Sequence, residues 1–394
     1  MKQHEPAAKR RRPNLFLRFL AFLVTLALVL GAVILVVNYD KLNFDSIRRW
    51  FSYRSLERND SGQAESFYCG SDNNSLFAAL GDDLLVCSEN SIRLYSGSGT
   101  AYIDKTVSLS NPAMDSAGSH ALVYDAGGQE LFAFANREEV FDLTLEGDLS
   151  LLSATVNSSG WSAVTAQEYG YKGSVTVYDP AGSPVMRLNL SSSFVMDAAV
   201  SPDNKQLAVL TAGLEDGNFE NTVSLYRLDG TSGEGTPEWA WTCSLGNNVV
   251  LNLQWDSYGI WCLGDSALTL VSADGEILAA ADYGGRYLKE FCQEGDGFAA
   301  VLLGKYRAGT SAELTVMDRE GQIFTLPVEE QILSLSSAGR YLAVLTADRL
   351  DIYTQDLTLY DTLEGTQSAQ EVIMRSDGTA MLISGKTARL YVPQ

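Results

Sequence analysis

The sequence predicts an all-β fold, an eight-bladed β-propeller of four-stranded blades, preceded by one transmembrane helix. Three observations lead to it: an uncharged apolar stretch near the N-terminus, a unit of about 42 residues that repeats afterwards, and no helical periodicity beyond residue 60. Repeats of this length with four strands each are typical of propeller blades. A single blade cannot bury both of its faces, so the repeats are expected to close into a ring.

The chain begins with a basic tail, residues 1–14, and the pattern predicts a transmembrane helix over residues 15–37. The 19 residues from Phe19 to Val37 carry no charge. At about 1.5 Å per residue they match the roughly 30 Å hydrocarbon core of a bilayer. Basic residues crowd the start of this helix, which places the tail in the cytoplasm by the positive-inside rule. We therefore expect a single-pass cell-membrane protein with an extracytoplasmic body.

Residues 38–64 are expected to form a juxtamembrane amphipathic segment and a linker. Within residues 43–58, apolar side chains recur at helical spacing beside arginines: Phe44, Ile47, Trp50 and Phe51. This pattern is typical of a helix that lies on a membrane surface. The alternative is an ordinary linker with fortuitous aromatic residues. The propeller is predicted to occupy residues 65–394.

The clearest register of the repeat is an apolar tetrad, which we assign to the third strand of each blade. Eight copies occur, namely IRLY 92–95, LFAF 131–134, VTVY 175–178, VSLY 223–226, LTLV 268–271, LTVM 314–317, LDIY 350–353 and ARLY 388–391. Turns rich in Gly, Asp and Ser separate these tetrads from further apolar runs, as expected for short strands. The second copy (114–134) is degenerate, so seven blades is the alternative count.

The two ends of the propeller are predicted to share one blade. The last copy stops after its third strand, whereas other copies continue into a fourth. The segment ESFYC (65–69) precedes the first copy and has no local partner. We expect Phe67 and Tyr68 to pair with the last tetrad as two buried aromatics, because an open edge would leave backbone donors and acceptors exposed.

Charge is distributed unevenly along the chain. Residues 1–59 hold 11 basic and 4 acidic residues, whereas residues 60–394 hold 17 basic and 45 acidic residues, a net charge of −28. Such an acidic body repels phosphate, which excludes nucleic-acid binding. The sequence has only two histidines, and it contains neither a calcium-loop motif nor a nucleophile-elbow motif. We therefore assign no metal, no cofactor and no catalytic residue. The five cysteines are expected to be buried free thiols, or to include one disulfide pair.

Three long loops between second and third strands form the candidate binding surface: AQEYGYKG 166–173, AGLEDGNFEN 212–221 and GKYRAGTSAE 304–313. In a propeller such loops lie on one face, around the mouth of the channel. They predict an aromatic, charged rim of the kind that recognises partners. Its candidate residues are Tyr169, Tyr171, Asp216, Phe219, Tyr306 and Arg307, with Glu215 and Lys305 beside them. The alternative is solvated loops with no special role.

The repeats resemble WD40-like, TolB-like and quinoprotein-like propellers over about 325 residues. The resemblance lies in SPDNKQLAV, from Ser201 to Val209, and is generic to the fold. The whole layout is similar to an uncharacterised family of membrane-anchored propellers from Gram-positive anaerobes. That family implies no known activity. No Trp-Asp pair ends the third strands, and the tryptophan-bearing repeat of quinoproteins is absent, so pyrroloquinoline quinone is not expected.

The anchor and the loops together predict a function. We expect a binding or scaffolding module in the cell envelope, with a protein or cell-wall partner outside the cell. The alternative is a carbohydrate-active enzyme of the cell envelope that uses carboxylates at the channel mouth, because an acid–base pair can be assembled from different blades.

Overall fold

The computed structural model describes residues 19–20, 22–26, 29, 44–54, 56–72, 74–228 and 239–393. The chain divides into two compact units, Met1–Ser55 and Leu56–Gln394. Among the described residues, no helix has the length and apolar character needed to cross a membrane. Most of the predicted transmembrane helix, residues 15–37, lies outside the described residues.

Helix α1 covers Phe44–Tyr53 in the first unit. Asp45 lies in its first turn, where a negative charge interacts favourably with the helix dipole, and no Gly or Pro interrupts it. The helix lies within the segment for which the sequence predicted one, but it is shorter than residues 43–58. The side chain of Phe51 is exposed.

The second unit contains eight four-stranded antiparallel sheets, which confirms eight blades and excludes seven. We number the blades along the chain. Blade 1 holds β2 (Leu76–Leu80), β3 (Asp83–Cys87), β4 (Ser91–Tyr95) and β5 (Ala101–Thr106). Blade 2 holds β6 (Pro112–Ala117), β7 (His120–Asp125), β8 (Glu130–Ala135) and β9 (Glu138–Thr144). Blade 3 holds β10 (Ser150–Val156), β11 (Ser162–Gln167), β12 (Gly173–Tyr178) and β13 (Pro184–Leu190).

The next three blades follow the same order. Blade 4 holds β14 (Phe194–Val200), β15 (Gln206–Glu215), β16 (Asn218–Arg227) and β17 (Trp239–Gly246). Blade 5 holds β18 (Val250–Trp255), β19 (Ile260–Gly264), β20 (Ala267–Val271) and β21 (Ile277–Asp282). Blade 6 holds β22 (Tyr287–Gly295), β23 (Phe298–Gly304), β24 (Ala312–Asp318) and β25 (Ile323–Val328).

The last two blades complete the ring. Blade 7 holds β26 (Ile332–Ala338), β27 (Tyr341–Thr346), β28 (Arg349–Thr354) and β29 (Leu359–Glu364). Blade 8 holds β30 (Glu371–Met374), β31 (Ala380–Ser384), β32 (Thr387–Tyr391) and, as its fourth strand, β1 (Phe67–Tyr68). Every predicted tetrad therefore lies in the third strand of its blade.

The core is divided among the seams between blades. In one such cluster, Leu85 and Ile92 of blade 1 pack with Ala121 and Phe134 of blade 2, and all four are buried. Burying a Leu or Ile side chain stabilises the fold by about 1.5–3 kcal/mol. Because blades 2 to 7 each contribute to two such clusters, their repeats must present apolar side chains on both faces.

The closing strand pairs as predicted. Phe67 lies opposite Ala388 and Tyr68 opposite Thr387 in an antiparallel ladder. The ladder continues past β1, because Ala64 donates its backbone N–H to the carbonyl of Leu390 at 2.8 Å. The ring is thus closed by a short non-covalent pairing of its two ends.

The prediction that both aromatics of this strand are buried is wrong for one of them. The ring of Phe67 is half-buried and packs on Tyr95 of blade 1, with 5.6 Å between ring centroids. Tyr68 is 65 % exposed, because a strand at the outer edge of the last blade has no neighbour on its far side. All five cysteines are buried and free, so no disulfide supports the closure.

Candidate binding face and channel

The connections between second and third strands all open at one end of the ring, because successive strands of each blade are antiparallel. The connections from each blade to the next open at the same end. We call this end the loop face and the other end the opposite face. All six candidate residues predicted from sequence lie on the loop face, in blades 3, 4 and 6.

On blade 3, the loop between β11 and β12 carries two tyrosines. Tyr169 is 94 % exposed, and Tyr171 is also exposed. The loop is held by an ion pair between Glu168 and Arg187, with 2.9 Å between the carboxylate and the guanidinium. The Lys172 ammonium lies 4.0 Å from the centroid of the Phe194 ring, which ties the loop to blade 4.

On blade 4, β15 and β16 continue beyond the blade as a two-stranded arm, which we define as residues 212–221. Leu214 and Phe219 are cross-strand partners on one side of the arm, and Leu214 is 76 % exposed. Glu215 and Glu220 lie on the other side, with Asp216 at the turn. A hydrogen bond shared with Glu220 raises the pKa of the Glu215 carboxyl. The tip of the arm is therefore acidic and partly apolar.

On blade 6, the loop between β23 and β24 is cationic. Tyr306 is 64 % exposed, and the Lys305 ammonium lies 5.5 Å from the centroid of its ring. The Arg307 guanidinium lies 5.4 Å from the centroid of the Tyr287 ring. The Lys289 ammonium donates to the carbonyl of Gly309. The predicted residues of blade 6 are thus brought together with a lysine of the inner strand.

Glycine is needed at one position below this loop. A Cβ at Gly304 would collide with the side chain of Lys289, whose stem crosses above it. The absence of a side chain there lets the lysine pass across the blade and reach the loop. The position of this ammonium is thus determined by the backbone of a neighbouring strand.

A second set of loop-face residues comes from bulges in the inner strands. In blades 3 to 7 the first strand shifts register by one residue directly before a polar residue, at Ser153, Asp197, Asn252, Glu290 and Ser334. The bulged residues are Leu152, Met196, Leu251, Lys289 and Leu333. The four apolar ones are exposed near the channel mouth. A bulge re-aims side chains by adding one residue to a strand.

Exposed apolar side chains are concentrated at the loop face. Among the described residues of the propeller, eleven large exposed hydrophobic residues lie there: Leu152, Tyr169, Tyr171, Phe194, Met196, Leu214, Phe219, Leu251, Tyr287, Tyr306 and Leu333. Among the same described residues, the opposite face has one large exposed hydrophobic residue, Tyr258. The remaining exposed hydrophobic residues of the propeller lie on outer strands. Exposed apolar patches of this kind mark interaction sites. The loop face is therefore the candidate binding surface.

The inner strands line a central channel with a cavity of about 590 Å³. Each inner strand has one unpaired edge, and polar side chains of the preceding blade satisfy part of it. Asp115 of blade 2 accepts the N–H of Val156 at 2.7 Å. Glu290 of blade 6 accepts the N–H of Leu335 at 2.9 Å. These bonds join consecutive blades, so the carboxylates have a structural role.

Burial raises the pKa of several of these carboxyls. The pKa of Asp115 rises to about 7, mainly because of burial, and the nearby charges of Asp197 and Glu294 add to the effect. The pKa of Asp197 rises to about 6 for the same first reason, although the Ser153 hydroxyl donates to it at 2.6 Å and opposes the rise. The side chains of Asp115 and Asp197 are partly exposed to the channel. The surrounding ring of protein nevertheless limits how well solvent can stabilise a charge there.

The carboxyl of Glu371 in blade 8 differs from these. Burial, and then the charge of Glu290, raise its pKa to about 7. The shift has no opposing hydrogen bond, unlike that of Asp197. Within the described residues, no cluster of His, Cys, Asp or Glu side chains has a geometry that could hold a metal ion.

A match to a known family covers most of the chain. Residues 57–387 match a family of unknown function, DUF5711. The chain belongs to the DUF5711 family. No curated protein matches it. Membership of the DUF5711 family assigns no activity. A function must therefore be inferred from the loop face and the channel.

Comparison with solved structures agrees with the fold of this DUF5711 chain. The C-terminal WD40 domain of Sif2 is similar over 85 % of this chain and 97 % of that domain, with a TM-score of 0.55 and 13 % sequence identity. The Neurospora crassa Pan2 WD40 domain is similar over 72 % of this chain and 89 % of that domain, with a TM-score of 0.44 and 12 % identity. The β-propeller domain of Myceliophteria thermophila Cps50 (Swd1) is similar over 85 % of this chain and 100 % of that domain, with a TM-score of 0.43 and 11 % identity. At 13 % identity, the likeness to the Sif2 domain shows that this chain has a WD40-like fold and shows nothing about its function.

Sequence reasoning considered carboxylates at the channel mouth as a class, but it named none of the channel carboxyls and none of the bulged residues. A polar residue in the middle of an otherwise apolar first strand, such as Asp197, is the signal that could have found the first group. The bulges have no such signal, because Leu152 and Met196 look like ordinary strand residues.

Proposed function

We propose that this chain is a membrane-anchored, extracytoplasmic binding or scaffolding module of the cell envelope, which recognises a protein or cell-wall partner through its loop face. The observation that carries the proposal is the concentration of exposed apolar side chains on that face, against a single one on the opposite face in the part of the propeller that the structure describes. Aromatic residues surrounded by charged ones are the composition of recognition surfaces. The uncharged stretch from Phe19 to Val37 supports the anchor.

The membrane topology can be tested by cysteine labelling, because the five native thiols are buried. Ser159→Cys adds an exposed thiol to the propeller, and Gln3→Cys adds one to the tail. A membrane-impermeant maleimide should label Ser159→Cys in intact cells, and Gln3→Cys only after lysis. The reverse pattern, or a chain found entirely in the soluble fraction, would refute the anchored topology.

The binding face can be tested by site-specific photocrosslinking in cells. A photoreactive residue in place of Tyr169, Leu214 or Tyr306 should give discrete crosslinked products. Leu359 is an exposed apolar residue on an outer strand of blade 7 and serves as the matched control. Equal crosslinking from Leu359, or none from the loop face, would contradict the proposal.

A second candidate is a carbohydrate-active enzyme of the cell envelope that uses the channel carboxyls. The raised pKa values of Asp115 and Asp197 favour it, because perturbed carboxyls are typical of acid–base sites. Release of reducing sugar from cell-wall polysaccharide, abolished in both Asp115→Asn and Asp197→Asn, would establish this candidate. No release from the wild-type protein would dismiss it.

A further inference from the structure

Two patches of opposite charge flank one blade of the loop face. Glu215, Asp216 and Glu220 form the acidic end of the blade-4 arm. Among the described residues, three cations that blade 6 places on the loop face form no ion pair with a carboxylate: Lys289, Lys305 and Arg307. Many other cations of the propeller do form such pairs, including Arg93, Lys105, Arg137, Arg187, Lys205, Arg286 and Arg349. Cations such as Lys172, Arg319 and Arg340 also form no ion pair among the described residues. What distinguishes the three of blade 6 is that they lie together at one loop of the loop face, in a body of net charge −28.

The apolar residues of the loop face are arranged about the same blade. The exposed bulged residues are Leu152 in blade 3, Met196 in blade 4, Leu251 in blade 5 and Leu333 in blade 7. Blade 5 lies in the middle of this series. Its own connection between β19 and β20 has only two residues, Asp265 and Ser266, so it does not project above the face.

We propose that the loop face is self-complementary and pairs two copies of this chain face to face, about a two-fold axis that passes over blade 5. The inference rests on the proposed function, which makes the loop face the binding face. A two-fold axis at blade 5 exchanges blade 4 with blade 6 and blade 3 with blade 7. Each acidic arm then meets the cationic patch of the second copy, and Leu152 meets Leu333 of the second copy. A two-fold interface requires this kind of reciprocal match.

The symmetry of the patches favours a second copy over other occupants. An unrelated protein places no reciprocal requirement on the two blades that flank blade 5, whereas a second copy related by a two-fold axis does. An anionic lipid surface would be repelled by the carboxylates of the arm. Repulsion between two acidic bodies is screened beyond about 8 Å at physiological ionic strength, so the contacting residues decide the outcome.

The arm has the length that such an interface needs. β15 and β16 each have ten residues, whereas β19 and β20 of blade 5 each have five. At about 3.3 Å per residue, three or more extra residues carry the tip roughly 10 Å beyond the neighbouring blade. The connection between β19 and β20 of blade 5 has only two residues and does not project, so it does not obstruct the arm of the second copy as that arm reaches blade 6.

The same axis passes over blade 1, which is the blade opposite blade 5 in a ring of eight. Blade 1 is adjacent to blade 8, where the chain joins the ring at Gln63 and Ala64. The two chains would therefore join their rings on the same side of the pair, as two copies anchored in one membrane require. Confinement to a membrane raises the effective concentration, so a modest interface suffices.

Charge reversal in the full-length chain, solubilised in detergent and measured by light scattering, tests the pairing. Lys305→Glu with Arg307→Glu, or Glu215→Lys with Glu220→Lys, should raise the dimer dissociation constant about tenfold or more, since each juxtaposes like charges. All four changes together should restore it to within a few fold. Lys205→Glu with Arg319→Glu is the matched control, because it changes the same net charge on blades 4 and 6 at the opposite face.

A monomeric wild-type chain at every concentration would overturn the proposal. So would equal weakening by the control pair, which would show that only net charge matters. Unchanged thermal transitions in all variants exclude misfolding as the cause of a lost dimer. Labelling of Ser159→Cys tests the anchor separately, so a failure of anchoring is distinguishable from a failure of pairing.

Disulfide trapping gives an independent test of the register. In the variant that combines Leu214→Cys with Tyr306→Cys, oxidation should produce a covalent dimer, whereas each single variant should remain monomeric. A link within one chain is excluded because blade 5 separates the two positions by far more than a disulfide spans. No covalent dimer from the double variant, or equal amounts from a single variant, would refute the proposed axis.

Discussion

Blade 4 and blade 8 contain the same four-stranded unit but differ in strand length and in closure. Two strands of blade 4 have ten residues each, and its fourth strand follows along the chain. The first three strands of blade 8 have four or five residues, and its fourth is the two-residue β1 from the other end of the propeller. Extra length in blade 4 contacts solvent, whereas the pairing of β1 with β32 in blade 8 closes the ring. We therefore expect changes in blade 8 to affect the stability of the ring, and changes in the arm of blade 4 to affect recognition.

Deleting residues 65–69 is expected to have the largest effect on stability. The deletion removes the ladder to β32 and the packing of Phe67 on Tyr95. At about 1 kcal/mol for each backbone hydrogen bond and 1–2 kcal/mol for a half-buried aromatic, the free energy of unfolding should fall by about 3–5 kcal/mol. Thermal unfolding measures it.

The control removes the same number of residues from blade 6. Deleting residues 307–311 shortens an exposed loop and leaves every strand intact. This deletion should shift the thermal transition far less. Equal shifts for the two deletions would show that the ring does not depend on its closing strand.

Gly62→Ala is expected to weaken the seam of blade 8 by a smaller amount. Gly62 has a φ of 81°, and a Cβ there would collide with the carbonyl oxygen of Val392. We expect a loss of about 1–3 kcal/mol in the free energy of unfolding, measured by denaturant titration. Gly127→Ala isolates the backbone contribution, because its φ is 83° and nothing lies within 4 Å of the added Cβ. A loss no larger than that of the control would contradict the close approach.

Glu371→Gln tests the carboxyl that blade 8 places in the channel. Because burial raises its pKa to about 7 from the ordinary value of 4.5, the folded state holds the proton more tightly than the unfolded state. The wild-type protein should therefore become more stable as the pH falls from 8 to 5. Glu371→Gln should be more stable than wild type at pH 8 by about 1 kcal/mol, after allowance for solvent screening, and similar at pH 5.

Asp197→Asn is the corresponding change in blade 4. Its carboxylate accepts hydrogen bonds from the Ser153 hydroxyl and the N–H of Ala198, which an amide oxygen accepts less strongly. This variant should gain less stability at pH 8 than Glu371→Gln. Urea titrations at pH 5 and pH 8 compare the two, and a flat pH profile for the wild-type protein would contradict the raised pKa values.

Leu214→Ser with Phe219→Ser is expected to have the smallest effect on stability. Both side chains are exposed on the arm of blade 4, so the free energy of unfolding should change by less than about 0.5 kcal/mol. Association through the loop face should nevertheless be lost, as measured by light scattering of the full-length chain. A large loss of stability would show that the arm belongs to the core of the blade.

Much of the fold could be predicted because its signals are local and repeated. The tetrads, their spacing and the turns between them depend on residues close in sequence, and the missing fourth strand of the last copy predicted the pairing of Phe67 and Tyr68. The candidate loops were found because they are longer than the others. The exposure of Tyr68 was not predicted, since it depends on what lies beyond the outer edge of blade 8.

The sequence by itself determined the four-stranded unit, its register and the strand that closes the ring, because alternation and turn chemistry are visible in each repeat. It favoured eight blades, and the structure excluded the alternative of seven. Only the tertiary structure decided which polar side chains satisfy the channel edge and which apolar ones reach the loop face. Asp115 accepts a hydrogen bond from Val156, 41 residues away, and the bulge at Met196 is defined by its pairing with the next strand. The first contact joins two blades, so a single repeat does not contain both partners. The second lies within one blade, but it depends on the register of two paired strands, which the residues of one strand do not specify.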